Sequence, residues 1–281
     1  MVSRMISKND IGCVVVIFNP DANIVENIKG YEQIVNEVIL VDNSEEDNSP
    51  LFSDLSFAKY IPLMENTGIA NALNVGINAL SERFILTMDQ DSKISDALIK
   101  AYIDYLNTND IADIGALTPQ FNTDRNPASV KAGSDEVLLS MQSGTLFKRA
   151  VFEKIGMFDA KLFLDVVDWE YFLRMRTSGY KLIRINNAIL DHRPASTREF
   201  KFGPIAVKYG IAPPVRYYYQ SRNLLWTARK YHCKVLYKNL MVKWLKIVLL
   251  FDNKNNYLKA FHQGIRDAKA NKLGKCKENY G

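Results

Sequence analysis

The run Arg83-Phe-Ile-Leu-Thr-Met88 is short, apolar and ends abruptly in two carboxylates, Asp89-Gln90-Asp91. Phe, Ile and Thr favour a buried, pleated surface, so the run reads as a strand covered on both faces. Aspartate is a poor strand former and costly to bury unpaired. Two of them at the end of a core strand therefore call for a counter-charge, and in an open α/β sheet that end is where ligands bind. A divalent cation meets the need, because hard cations take carboxylate oxygens and bridge them to substrate phosphates. Taken alone, an Asp-x-Asp pair suits a turn or a helix cap equally well, so its meaning depends on context.

That context is a series of strands that all stop at short polar residues. Ile11 to Phe18 is a continuous β-branched run, the pattern of a central parallel strand, and Asn19-Pro20-Asp21 ends it. Glu37 to Val41 repeats the pattern and stops at Asp42-Asn43-Ser44; Ala58 to Leu63 is a weaker strand ending near Asn66. Asp21 can cap a helix through Lys29, and Thr67-Gly68-Ile69-Ala70 opens an apolar-periodic helix to Leu80. Strands and helices alternating in this way predict an α/β fold with a Rossmann-like, mainly parallel sheet flanked by helices. Asn19, Asp42, Asn43, Asn66, Asp89 and Asp91 then share one rim. There is no GxGxxG and no Gly-Lys-Ser/Thr, which argues against dinucleotide and P-loop sites.

Beyond this block, Ser95 to Leu106 reads as a helix, Asp113 to Pro119 as a strand and Phe121 to Glu136 as a loop. Ser143-Gly144-Thr145 is small enough to let a ligand approach the backbone. Arg149 to Ile155 predicts a short helix capped by Gly156. The stretch Asp165-Val-Val-Asp168-Trp-Glu170-Tyr-Phe-Leu-Arg174 places three acids within an apolar and aromatic segment. If Asp168 starts a helix, Tyr171, Phe172 and Met175 face inward, and the positive end of the helix dipole favours the carboxylate. The plainer alternative is a capping Asp168 with Glu170 on a solvated face. Two short strands follow, Lys181 to Ile185 and Ala188 to Leu190, and then Asp191-His192. His192 ends an apolar strand and is a candidate third metal ligand.

Charge divides the chain unevenly. Residues 1–199 carry 19 basic and 28 acidic side chains, residues 200–281 carry 17 and 3. Such a bias speaks of partners, not of fold. Arg216-Tyr-Tyr-Tyr-Gln-Ser-Arg222-Asn223 mixes aromatics with arginines suited to phosphate or sugar contacts. Tyr231 to Phe251 reads as a helix that can rest on an anionic bilayer, although Lys234, Lys238, Lys243 and Lys246 share no clean face; packing on the core is the alternative. Residues 269–281 read as a polar, frayed end. The expected division is an α/β domain at 1–215 and a basic, mainly helical extension at 216–281. Three scattered cysteines fit a reducing compartment, and no stretch has the length and apolarity of a membrane span or a signal peptide.

In this order the motifs resemble those of the family 2 glycosyltransferases of GT-A fold, in particular bacterial rhamnosyltransferases that build surface polysaccharide. The likeness covers roughly residues 11–230 and rests on Val41-Asp42-Asn43-Ser44, Asn66-Thr-Gly68-Ile-Ala70-Asn71, Asp89-Gln-Asp91, Ser143-Gly144, the Asp165–Arg174 stretch, Asp191-His192 and Tyr217 to Asn223. The resemblance implies that Asn19, Asp42, Asn66, Gly68 and Asn71 line the nucleotide site. It implies that Asp89 and Asp91, with His192, hold Mg²⁺ or Mn²⁺, Asp89 also facing the donor, and that Asp168 is the catalytic base. Because the acidic motif reads Asp-Trp-Glu instead of Glu-Asp, Asp165 and Glu170 stay open as alternatives. Gln90 is an uncharged residue at the centre of the metal motif.

The function so implied is inverting, metal-dependent transfer of a sugar, rhamnose from dTDP-rhamnose. The acceptor would be an undecaprenyl-diphosphate-linked saccharide in O-antigen or capsule synthesis. The enzyme would be cytoplasmic and peripheral at the inner face of the cell membrane, held there by its basic C-terminal segment. A galactofuranosyl or other hexosyl transferase is the neighbouring alternative. A nucleotidyltransferase is another, although Asn19-Pro20-Asp21-Ala22 lacks the glycine-rich basic loop that chemistry uses. An inactive scaffold with a binding tail is the non-enzyme reading; the tail carries no named nucleic-acid motif, so nucleic acid is not an expected partner.

Overall fold

The computed structural model describes residues 4–123, 127–192, 197–202, 205–278 and 280. The chain divides into two compact units, Met1–Phe158 with Tyr171–Arg193, and Asp159–Glu170 with Pro194–Gly281.

In the first unit the β-branched run becomes β1 (Ile11–Ile17), buried at every position. It is flanked in parallel by β2 (Glu37–Asp42) and β4 (Phe84–Asp89), and β3 (Ala58–Pro62) lies parallel beyond β2. Among the described residues nine strands form one sheet, in the order β3-β2-β1-β4-β8-β6-β9-β5, with β7 also on β9. The further strands are β5 (Ser92–Lys93), β6 (Ile114–Asn122), β7 (Ser134–Val137), β8 (Thr145–Lys148) and β9 (Lys181–His192). β8 is antiparallel to β4 and β6, whereas β6 and β9 run parallel. Register aligns the strand ends: Val16 lies opposite Asp89, and Ile17 opposite Asp42. The shared polar rim expected from the sequence is therefore built by the ladder itself.

Helices α1 (Ile24–Lys29), α2 (Ser49–Phe52), α3 (Ile69–Ala79), α4 (Asp96–Thr108) and α5 (Arg149–Ile155) connect these strands. Ser95 caps α4 by accepting from the Leu98 N–H. Gly156, at φ 87°, ends α5 as expected. Tyr171, at 4.9 Å from the rings of both Phe152 and Phe158, anchors α6 (Val167–Thr177) to the aromatic core.

Two readings of the sequence are corrected. Lys181 to His192 is a single strand, not two, and it takes up Asn186-Asn187 as an irregularity: Thr118 faces Arg184 but Gln120 faces Ile189. Pro119 sits at that slip, where a missing N–H costs nothing to the ladder. Part of the expected loop 121–136 is strand: β6 continues to Asn122, and Ser134–Val137 forms β7; residues 124–126 lie outside the described residues.

The second unit contains the hairpin β10 (Thr197–Phe202) and β11 (Ile205–Gly210), then α7 (Pro214–Lys230), α8 (Lys234–Leu250) and α9 (Lys254–Lys269). α7 and α9 meet at Gly264, where a Cβ would stand 2.1 Å from Ser221 Oγ and 2.4 Å from the Tyr218 carbonyl. The C-terminal end is not frayed throughout: Cys276 N–H donates to Tyr219 at 2.7 Å, and the buried Tyr280 stacks on Tyr218.

α3 lies on the sheet through Gly76, where a Cβ would stand 2.3 Å from Val14 Cγ1 and 3.0 Å from Val41 Cγ2. Adding a methyl there overpacks a dense interface. Gly76→Ala is expected to lower stability by about 1–3 kcal/mol, read as a reduced midpoint in thermal unfolding with the circular-dichroism spectrum retained.

Candidate active site

The Asp89–Gln90–Asp91 motif spans the last residue of β4 and the turn before β5. Gln142 donates to Asp89 Oδ1, and the Asp89 N–H donates to Ser143 Oγ at 3.0 Å. From Ser143 a hydroxyl relay continues to Ser92 Oγ at 2.8 Å and on to His192 Nδ1 at 2.9 Å. The reason His192 arrives here is a two-residue bridge: β5 pairs antiparallel with the end of β9, Ser92 opposite His192. One ligand atom from each of Asp89, Asp91 and His192 then lies within 4.8 Å of the other two. Two carboxylates and an imidazole suit Mg²⁺ or Mn²⁺ by charge and donor type. The Asp91 side chain is 48% exposed, leaving room for water or phosphate oxygens to complete a coordination shell.

Gln90 has a structural task. Its Oε1 accepts the Phe18 N–H at 2.7 Å and its Nε2 donates to the Phe18 carbonyl at 3.2 Å, tying the end of β1 to the turn. Asn27 on α1 donates to the carbonyls of Gln90 and Ser92 at 3.1 and 2.9 Å. Neither Asn27, Ser92 nor Gln142 stands out in the sequence; each is a polar residue whose partners are remote in the chain. Gly144 differs from its expected role. Its φ is 75°, and a Cβ there would stand 2.6 Å from Leu190 Cδ2, so packing within the sheet requires the glycine.

Beside the metal motif, Asp42 is 1% exposed. It accepts from the Ser44 N–H at 2.9 Å, the Ser44 hydroxyl, Asn48 Nδ2 at 2.9 Å and the Tyr60 hydroxyl at 2.7 Å. Burial and the Asp42 carboxylate together push the Tyr60 hydroxyl well above the ordinary phenol range. Asn43 binds the Thr67 N–H and Asn66, whose Oδ1 accepts the Gly68 N–H at 3.1 Å. Gly68, at φ 86°, lets α3 start directly after this turn. Asn19 is exposed at φ 46°, its N–H on Ser44 Oγ at 2.7 Å, and Asn71 lies half-buried on the first turn of α3. The structure thus brings Asn19, Asp42, Asn66 and Gly68 into two linked networks on the rim.

The three acids of the second motif lie in the second unit, in three different settings. Arg216 holds Asp165 with two 2.7 Å bonds, one to each carboxylate oxygen, in the fork-to-fork geometry characteristic of arginine. Glu170 is fully buried and accepts from Lys230 at 2.9 Å and the Tyr231 hydroxyl at 2.6 Å, which removes it from the solvated face given as an alternative. Asp168 is half-buried in the first turn of α6. The approach to that turn is contorted: Phe163, Asp165 and Val166 have φ of 65°, 61° and 66°. Such conformations cost of order 1–3 kcal/mol each, and a β-branched residue is the least tolerant of them.

Residues 13–172 match the family described as Glycosyl transferase family 2, more than half of the chain, and the chain belongs to that family. It is 29% identical over 255 residues to the dTDP-rhamnosyl transferase RfbF of Shigella flexneri, covering 82% of this chain and 83% of that one. It is 27% identical over 176 residues to the uncharacterized glycosyltransferase YwdF of Bacillus subtilis (strain 168), covering 58% and 65%. In three dimensions it is similar to GalNAc-T7, crystallised with UDP, GalNAc and Mn²⁺, at a TM-score of 0.61 and 9% identity over 92% of this chain and 56% of that one. TarS of S. aureus gives 0.52 and 14% over 93% and 44%. At these identities the two structures speak for the fold alone, the GT-A fold, and this chain spans about half the length of each. The protein is a glycosyltransferase, which decides between the sugar-transfer and nucleotidyl-transfer readings.

Because Glu170 is anchored inside the second unit, its removal is expected to act on stability. Glu170→Ala leaves the Tyr231 hydroxyl and Lys230 without this acceptor and should cost about 1–3 kcal/mol in equilibrium unfolding, with donor binding by the folded fraction retained.

Proposed function

We propose that this glycosyltransferase moves rhamnose from dTDP-rhamnose to a hydroxyl of an undecaprenyl-diphosphate-linked saccharide, with inversion, in the synthesis of O-antigen or capsule. The observation that carries the reading is the Asp89–Asp91–His192 constellation at the carboxyl edge of the sheet in a family 2 chain. The choice of donor is supported by the likeness to the Shigella flexneri dTDP-rhamnosyl transferase; a galactofuranosyl or other hexosyl donor is the competing choice that a donor screen separates.

Each residue then has a role. Asn19, Asn66, Gly68 and Asn71 receive the nucleotide, with Asp42 ordering the Ser44–Asn48 loop beneath it and Asp89 facing the donor diphosphate. Asp89, Asp91 and His192 would hold Mg²⁺ or Mn²⁺, which when bound would supply positive charge to the leaving diphosphate. Gln142 and Ser143 fix Asp89 for that purpose, and the hydroxyl relay fixes His192. Asp168 takes the proton of the acceptor hydroxyl while its oxygen bonds to the anomeric carbon and the bond to the diphosphate breaks on the opposite face. The base is taken as Asp168 from the family resemblance, and Asp165 and Glu170, bound by Arg216 and by Lys230 with Tyr231, are given structural tasks. A catalytic domain at 1–215 with a basic extension at 216–281 is retained as a functional division.

The acceptor class places the reaction at a membrane, and α8 supplies the surface for it. Among the described residues no helix is long and apolar enough to cross a membrane. Tyr237, Met241, Val242, Trp244, Leu245 and Leu249 are exposed on α8, within roughly half of the helix circumference at 3.6 residues per turn. Lys243 turns inward to Gln220 at 2.9 Å and Lys246 to the Gly210 carbonyl, whereas Lys234 and Lys238 are exposed. The imperfect lysine pattern thus has a cause: two of the four lysines belong to the interior. An exposed apolar face that also carries Lys234 and Lys238 near its N-terminal end suits a helix lying in the interface of an anionic bilayer, here the inner face of the cell membrane.

Thermal shift is expected to rise with dTDP-rhamnose plus Mn²⁺ in the native protein and not in Asp89→Ala. Asp168→Asn should keep that shift while losing about 10²–10⁴-fold in turnover. Wild-type transfer by both variants overturns the assignment. In flotation, the protein should rise with vesicles containing phosphatidylglycerol and less with phosphatidylcholine alone, and Leu245→Glu with Leu249→Glu should abolish it. Equal behaviour of the variant, or a self-association that these changes disrupt, removes the membrane assignment and leaves the transfer reaction standing.

A further inference from the structure

The sequence singled out Arg216 to Asn223, and nothing in the proposed reaction uses it. In the second unit this stretch of α7 faces the strained approach to Asp168. Phe163 makes a γ-turn of positive φ (65°, ψ −63°), closed by the Leu164 N–H on the Leu162 carbonyl at 2.8 Å, a rare and strained form. Asp165 and Val166 continue in the left-handed region, and the Val166 carbonyl accepts the Glu170 N–H at 2.9 Å, the first helical bond past Asp168. The position of Asp168 is therefore set by a segment that would not hold its shape unaided.

At the centre of what holds it is one side-chain amide. Asn223 is fully buried, and its Nδ2 lies 2.9, 2.8 and 2.9 Å from the carbonyls of Leu162, Leu164 and Asp165. Its other end is fixed by Arg222, whose Nε donates to Asn223 Oδ1 at 2.9 Å and so turns the NH₂ toward the loop. Arg222 is 1% exposed, lies over the rings of Tyr218 and Tyr219, and also binds the carbonyls of Leu162 and Gly274. Arg216 grips the Asp165 side chain from about two turns before Asn223 on the same helix. Strained backbone persists only where its surroundings over-determine it, and it concentrates where geometry serves function.

We propose that Asn223 and Arg216, backed by the buried Arg222, are positioning residues that hold the 162–166 loop in its strained form and thereby place the Asp168 carboxylate. The inference rests on the reading of Asp168 as the base. The loop is the device, and the helix supplies its mould. Loss of the mould lets the loop relax, and a displacement of the base by about 1 Å is enough to cost on the order of 10²-fold in rate.

The test is a double-mutant cycle in full-length protein with dTDP-rhamnose, Mn²⁺ and a lipid-linked acceptor. Turnover is normalised to the folded fraction, and the donor-induced thermal shift is recorded for each variant. Asn223→Ala is expected to lower kcat by about 10- to 100-fold with donor KM nearly unchanged. In the Asp168→Asn background the same change should cost little further, because residues acting through one group are non-additive. Arg216→Lys, at a half-exposed position, should show a smaller loss of the same kind and serves where Asn223→Ala folds poorly. An equal fold-loss in both backgrounds, or a loss wholly explained by the folded fraction, overturns positioning and leaves Asp168 as the base. Wild-type turnover of Asp168→Asn overturns the base assignment, and the positioning role with it.

Discussion

The rim exists because β1 is buried along its whole length and paired in parallel on both sides. A strand in that position cannot slip by a single residue without turning side chains to the wrong face, so its register is fixed. With register fixed, the ends of β2 and β4 are fixed too, and two aspartates on different strands arrive at one level. The polar residues after each strand then have no alternative but to meet. The rim follows from a strand whose own residues are Ile, Gly, Cys and Val, none of them part of the rim.

Carboxylates in this protein do different work according to what surrounds them. Asp42 spends both oxygens on the protein and shapes a loop. Glu170 is satisfied in a buried setting by a lysine and a tyrosine, where an acid without partners would be costly. Asp89 and Asp91 stand closer to solvent with an imidazole beside them, donors of the types that hard divalent cations and imidazole-binding metals take. The residue type is nearly constant across these sites; the number and kind of donors decide the role.

Much of this was legible in the sequence because parallel strands announce themselves as apolar runs. The β1, β2 and β4 runs, the Gly68 start of α3 and the Asp89–Asp91 pair all follow from local pattern. His192 was legible as a candidate because it ends such a run, but the two-residue bridge at Ser92 that delivers it has no local signal. β7 has no local signal because Ser134-Asp-Glu has little intrinsic strand preference; its pairing with β9 makes it a strand, and the exposed ion pairs Arg184–Asp135 and Arg176–Glu136 add little. Asn186-Asn187 has the composition of a break between strands, and only pairing with β6 turns it into a slip within β9. The roles of Arg222 and Asn223 depend on carbonyls some 60 residues away, which composition and periodicity cannot express.

Gln90 bears on how such a motif can vary. By offering an acceptor to the Phe18 N–H and a donor to its carbonyl, the carboxamide imitates a peptide group and adds one more rung beyond the last residue of β1. An aspartate at this position would lose the donor and the reach, and would crowd a third carboxylate beside Asp89 and Asp91. The neutral middle residue is therefore a splice between strand and turn, exchanging extra charge for rigidity where the sheet would otherwise begin to unravel.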